Sequence, residues 1–467
     1  MTNYYDELLK LCGWDDDEIN KERPRIDKVF QKLELGPEDM KRADSWVRQN
    51  HEVKLEGVRK LLRAWLKELI DLVLAKDEGK KVVYYGFPSI QGPGMAIKAA
   101  APEEIYCACP DTILCHTLGQ IFNKLTPILE AGEENGLPPG HAMCSLQQVR
   151  VGGLVKGIIP LPDLVTCSSY SCDMGSKADE LLHEKYGYPA VYVDGSMDSR
   201  WGEFPAYLPQ RVEFLGAELN KLFDTVKEVV GVEVTLDAWD KAMSTSRYLF
   251  RAIGQLTQLM MADPMPISSV EIGLALELSA ASTGRAITEG PEAVDTLCQE
   301  VKRRVDEGVG VVEKGAPRIL NFVAHFSDPS IMHMMENAGL AMSTMLAAVP
   351  PPKAPPSTYT TLGEIRAERV MTSGELYHSN YGMVRRLGDA VKTLNIDGVI
   401  WDYLFNCRLM SQSSHLLKKW VEENTGVPVL ALEIDLYDSR NYSADALKVR
   451  VETFAELLRA RKAFAKV

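Results

Sequence analysis

Apolar and polar positions along this chain follow two periods, and the changes between them divide it into four stretches. Over residues 1–78 the pattern is helical and highly charged. Leu61, Leu62, Trp65, Leu66, Leu69, Ile70 and Leu72 recur at the spacing of one helix face, which predicts an N-terminal helical extension packed on the rest of the chain. From Lys81 short apolar runs take over. Val82 to Tyr85, Ile105 to Cys107, Leu164 to Cys167 and Ala190 to Val193 each read as a buried strand. The first runs into a Gly/Pro loop over residues 86–94. Helical patterns separate these strands, so the stretch 79–205 is a βαβ alternation and predicts a parallel sheet. Residues 206–315 are mostly helical, and a second α/β stretch covers 316–467. It opens with a strand near Ile319, has an apolar run at 398–405, a helix near 413–423, a strand at 427–434 and a final amphipathic helix. The proline-rich run 350–356 reads as a stiff surface loop. The predicted fold class is α/β, with two parallel-sheet domains of Rossmann or flavodoxin type, a helical extension and a helical middle. The two α/β halves show no internal sequence repeat, yet their patterns allow a structural relation.

Composition narrows the function classes. The chain has 467 residues and a formal net charge of −13, which disfavours nucleic acid as a partner. No apolar run reaches membrane-spanning length; the run 266–281 is broken by Glu and Ser. The first residues lack a basic segment followed by an apolar one, so a cytoplasmic location is expected. The P-loop, the Gly-x-Gly-x-x-Gly fingerprint after a strand, His-Glu-x-x-His and Gly-x-Ser-x-Gly are all missing. His116, His325 and His333 are scattered and read as local histidines. Cysteine is left as the carrier of unusual chemistry. Nine cysteines in such a chain argue for thiols or metal ligands over a disulfide framework. Cys12 and Cys298 lie inside helical patterns and read as small buried hydrophobes.

Three cysteines stand out by position. Cys407 ends the apolar run beginning at Asp397, just past the carboxyl end of a strand, where open α/β sheets gather ligands. Cys144 is followed by a helical pattern carrying Arg150, and a helix start there favours a thiolate. Cys172 follows the strand Asp163-Leu164-Val165-Thr166-Cys167 and a polar loop, with Asp173 and Lys177 beyond it. Three thiols from separate segments meeting in one crevice can hold an iron–sulfur cluster with one iron open.

These segments, with the block from Gly426 to Asp435 and the stretch Asp438-Ser439-Arg440-Asn441-Tyr442-Ser443, resemble the catalytic subunits of the 2-hydroxyacyl-CoA dehydratase and benzoyl-CoA reductase family. The resemblance covers residues 80–465 and leans toward the larger, D-component type of subunit. It implies a 4Fe–4S cluster on Cys144, Cys172 and Cys407, an acyl-CoA substrate, and low-potential one-electron chemistry sensitive to oxygen. It also implies a second related subunit in a heterodimer and a separate ATP-hydrolysing iron–sulfur activator; the missing P-loop agrees with that division of labour. Cys167 competes with Cys172 as the middle ligand, with Cys172 preferred because Asp173 and Lys177 come after it. Arg150 and Lys177 are candidates to steady the cluster's charge or the coenzyme A phosphates. Glu433 and Asp435 end a strand and are candidates to handle protons, whereas Asp438 reads as a cap.

The loop at 86–94 departs from the family pattern, and that departure tilts the expected reaction toward a reductase acting on benzoyl-CoA or a similar thioester. Dehydration of a 2-hydroxyacyl-CoA is the alternative. Cys107, Cys109 and Cys115 leave room for a double-cubane, eight-iron relative, and a non-catalytic electron-transfer or accessory subunit is a further reading.

Overall fold

Among the described residues two four-stranded sheets, with every strand pair parallel, organise the chain. The computed structural model describes residues 3–86, 91–138, 143–170, 172–195, 199–322, 326–349, 356–373, 380–405 and 407–464. The first sheet contains β1 (Lys81–Tyr85), β2 (Ile105–Ala108), β3 (Leu164–Ser168) and β4 (Ala190–Val193), in the order β2-β1-β3-β4. The second contains β5 (Arg318–Asn321), β6 (Ala341–Met345), β7 (Gly398–Tyr403) and β8 (Val429–Glu433), in the order β6-β5-β7-β8. Both sheets thus place the second strand outside the first and the third on its other side. The halves share a topology without sharing a repeat.

The strands read as unbroken apolar runs because both faces of each sheet are covered. In β1, Val82 and Tyr84 belong to one large core, and Val83 and Tyr85 to a second on the opposite face. The large core also takes in Val399, Ile400 and Trp401 of β7 and the N-terminal helices. Those helices are Asp6–Leu11, Asp16–Lys32, Pro37–Asn50 and Glu56–Leu74. The last buries the face expected from its spacing, and Ala64, Glu68 and Val73 besides, so it runs through the middle of the core. Gly57 permits this: a Cβ there would stand 2.5 Å from the Cα of Leu297, on helix Gly290–Glu307. Buried Glu68 accepts hydrogen bonds from the Tyr106 hydroxyl at 2.6 Å and the Arg285 N–H at 3.1 Å, and burial raises its pKa.

The middle region is helical as expected, with Pro209–Val230, Leu236–Met260, Ser269–Ala281 and Gly290–Glu307. Helix Leu362–Ser373, from the C-terminal stretch, crosses to pack on Pro209–Val230, where Gly363 meets the carbonyl of Gly216. Linear stretches therefore do not coincide with packed layers.

Three elements differ from expectation. The chain at 91–94 is not loop: a helix runs over Gln91–Ala100, and Gly94 lets it lie against the Tyr85 ring, 2.7 Å from where a Cβ would stand. β6, Ala-Met-Ser-Thr-Met, gives no clear strand pattern because its two hydroxyl residues are buried at an edge, bonded to carbonyls of the same strand. The helix after Cys407 spans Arg408–Thr425, longer than its apolar core suggested. Residues 87–90, the prolines at 350–355 and His325 lie outside the described residues. Among the described residues no helix is long and apolar enough to cross a membrane.

Candidate metal centre

Four helices among the described residues have a cysteine at the N-cap: Cys109 precedes the short helix Pro110–Leu114, and the other three place their thiols near one another. Cys144 precedes Ser145–Val155, Cys172 precedes Asp173–Tyr186 and Cys407 precedes Arg408–Thr425, each with extended backbone. The first turn of a helix presents unpaired N–H groups and a partial positive charge. At Cys172 the sulfur uses it: the Gly175 N–H donates to Sγ at 3.3 Å. Ser168 ends β3 and Tyr403 ends β7, and Cys172 and Cys407 follow at the same offset. Because β3 and β7 hold equivalent places in the two sheets, these two thiols are counterparts across the halves.

The three thiols influence one another. Burial raises the Cys144 thiol well above its usual value, and Cys172, Asp435 and Cys407 raise it further. Burial also pushes Cys172 up to about 12, with Cys407 and Asp173 adding to the shift against the N–H groups of Gly175 and Met174. Buried thiolates that repel each other are stabilised by a cationic group set among them, and soft thiolates select iron or zinc centres. Among the described residues no three His, Cys, Asp or Glu side chains are close enough to share one ion. In an iron–sulfur cluster each thiolate meets a different iron, so its ligands stand farther apart than those of a lone ion. The donor set fits a cluster.

Asp435 fastens this place together. Its carboxylate accepts hydrogen bonds from the Ser145 hydroxyl, the Tyr437 N–H at 3.0 Å, the Asp438 N–H at 3.2 Å and Asn441 Nδ2 at 2.8 Å. Ser145 immediately follows Cys144, so the end of β8 is tied to the Cys144 helix. Burial raises the Asp435 pKa despite these donors.

Arg150 is neither solvated nor open to a ligand. Its guanidinium lies buried between Asp111, at 2.7 Å, and Asp179, at 2.6 Å. Asp111 belongs to helix Pro110–Leu114, Asp179 to the Cys172 helix and Arg150 to the Cys144 helix. One cation therefore locks two thiol-bearing helices to a third.

Residues 98–458 match the family described as 2-hydroxyglutaryl-CoA dehydratase, D-component, and this span contains all three cysteines. The chain belongs to this family. It is 22% identical over 417 residues to the (R)-phenyllactyl-CoA dehydratase alpha subunit of Clostridium sporogenes, covering 89% of this chain and 98% of that one. It is 20% identical over 305 residues to the (R)-2-hydroxyglutaryl-CoA dehydratase alpha subunit of Acidaminococcus fermentans, covering 65% of this chain and 61% of that one. A benzoyl-CoA reductase subunit of Thauera aromatica is 22% identical over 357 residues, with coverages of 70% and 79%. Each relative is named as one subunit of its enzyme. The chain is accordingly an enzyme component of the dehydratase and reductase type.

In this D-component chain the remaining cysteines have other surroundings. Cys167, within β3, is buried and faces Asp179, which with burial holds its thiol protonated. Cys107 is buried in β2, and Cys109 donates to Asp111 at 2.8 Å, so both behave as neutral thiols. Cys115 opens a π-helical segment, Cys115–Ile121, behind Cys144. Cys12 is buried beside the N-terminal helices and Cys298 is part-buried in helix Gly290–Glu307. Lys177 points to solvent and pairs with Glu180 at 2.6 Å. Glu433 is exposed at the end of β8, in register with Tyr403. Asp438 caps the turn Ser439–Asn441 by accepting from the Arg440 N–H at 3.0 Å. Ser145, Asp111 and Asp179 were not singled out from sequence; for Ser145 its place directly after a candidate ligand was an available signal, and for the two aspartates there was none.

Proposed function

We propose that this chain is the iron–sulfur subunit of an ATP-dependent radical acyl-CoA enzyme whose reaction is the dehydration of a 2-hydroxyacyl-CoA. The observation that carries the reading is the placement of Cys144, Cys172 and Cys407 at three helix N-termini, brought together from both halves. When bound there, a 4Fe–4S cluster supplies a low-potential electron and one open iron for an acyl thioester. The three thiolates hold it, the helix N-termini offset their charge, and Asp435 anchors the Cys144 turn through Ser145. Asp435 already accepts four hydrogen bonds, so exposed Glu433 is the freer carboxylate for moving a proton. Lys177, exposed on the Cys172 helix, suits the phosphates of coenzyme A, and Arg150 acts on the thiols through the helices it joins. A related second subunit completes the enzyme, and a separate ATP-hydrolysing activator supplies the electron.

The relative covered almost end to end is named a dehydratase subunit, which favours dehydration. Reduction of an aryl-CoA is the second reading, favoured by the likeness to a benzoyl-CoA reductase subunit. The deciding experiment is iron and acid-labile sulfide per chain after anaerobic purification, followed by EPR with (R)-2-hydroxyacyl-CoA esters and with benzoyl-CoA. About four irons and a signal altered by a 2-hydroxyacyl-CoA support the proposal. A response to benzoyl-CoA alone moves it to reduction, and about eight irons to a double-cubane enzyme. Absence of iron overturns it.

A further inference from the structure

Gln147 is a buried carboxamide that the fold does not require to be polar. It lies on the first turn of the helix capped by Cys144, with a relative accessibility of 1%, and its Oε1 has no hydrogen-bond partner among the described residues. A glutamine three residues after a cap ordinarily folds back onto the cap's own N–H. This one reaches across to the neighbouring thiol helix instead. A Cβ placed on Gly175 would stand 3.4 Å from Gln147 Nε2 and 3.6 Å from Cys172 Sγ, so the amide and the sulfur border the same small space. The Gly175 N–H already donates to that sulfur, and the absence of a side chain at Gly175 leaves the second approach open. The unpaired atom is the acceptor oxygen, while Nε2, the donor, is the end turned to the gap beside the Cys172 sulfur.

We infer that Gln147 is a positioning residue that offers its carboxamide N–H to the Cys172 sulfur and thereby sets how readily a cluster on Cys144, Cys172 and Cys407 accepts an electron. The inference rests on the cluster reading above. Hydrogen bonds to cluster sulfurs favour the reduced, more negative state and raise the reduction potential. Outer groups of this kind also tune metal retention.

The test is the midpoint potential of the cluster in the full-length chain, by EPR-monitored redox titration, for wild type, Gln147→Met and Gln147→Glu. Methionine keeps the length and burial of the side chain but has no donor. With iron and sulfide equal to wild type, the methionine variant is expected to be about tenfold harder to reduce at a fixed poise, about 59 mV for one electron. Glutamate, which adds a negative charge, is expected to shift further in the same direction. If Gln147→Met fails to fold, Gln147→Leu, which also lacks a donor and adds no charge, carries the same comparison. An unchanged potential in an iron-replete variant overturns the inference and leaves the cluster reading standing. A wild-type chain without iron overturns both.

Discussion

In the proposed reading cysteine carries the chemistry, and the neighbours of each thiol set its environment. Cys144, Cys172 and Cys407 feel one another, whereas Cys167 turns to Asp179 and Cys109 to Asp111. Serine at any one of the three caps is therefore expected to abolish most of the cluster iron, measured as iron and sulfide per chain. Cys12→Ala and Cys298→Ala are expected to keep it. Full iron in all three serine variants would remove the ligand assignment. The sequence pointed to the middle ligand only through Asp173 and Lys177, the residues just beyond Cys172. Cys167 and Cys172 share one strand–loop stretch, and it takes the packing of the Cys172 helix on β3 to show which thiol meets Asp179.

At the scale of elements, buried polar ties hold the helices in place. Removing the cation in Arg150→Met leaves Asp111 and Asp179 buried without compensation, which is expected to cost about 3–5 kcal/mol of stability by urea denaturation. Because both thiol helices lose their common partner, iron retention should fall as well. A second tie links helix Ser330–Asn337 to the end of Pro37–Asn50: His333 meets Glu336 at 3.2 Å and the Asn50 carbonyl at 3.0 Å. Burial disfavours the charged ring, but the bonds to Glu336 and Asn50 outweigh it, so its pKa in the folded chain is raised above 6.5. The stabilisation is complete below 6.5 and is lost as pH climbs through the raised value. Denaturation midpoints of wild type relative to His333→Gln should accordingly converge as pH rises above 6.5 and through the raised value. A constant difference across that range would exclude the histidine as the source. Helix positions of this kind were legible as amphipathic periods; the pairs were not, since Arg150 and Asp179 look like ordinary helix charges until the helices are placed side by side.

Across the whole molecule the two halves meet at close contacts that also support the site. A Cβ on Gly119, within the π-helical segment, would stand 2.6 Å from the Ser327 carbonyl oxygen. Ser327 in turn bonds the Leu436 and Tyr437 carbonyls at 2.9 Å, beside Asp435. Gly119→Ala is expected to destabilise the chain by about 1–3 kcal/mol and to lower iron retention together with it, as thermal unfolding and iron assays would register. Loss of stability with iron unaffected would separate this contact from the site.

By itself the sequence determined the α/β class, most strands, the helical middle and the absence of local phosphate-binding motifs, and it singled out cysteine as the candidate residue type. Those features are written in local periodicity and short motifs. Only the tertiary structure decided that both sheets share one strand order, that Cys172 and Cys407 are counterparts across the halves, and that the N-terminal helices run through the main core. It also decided that Arg150 is a buried clamp and Asp435 an anchor. These depend on which faces pack together over hundreds of residues of separation, and burial turns a charge that reads as solvated into one that must find its partner.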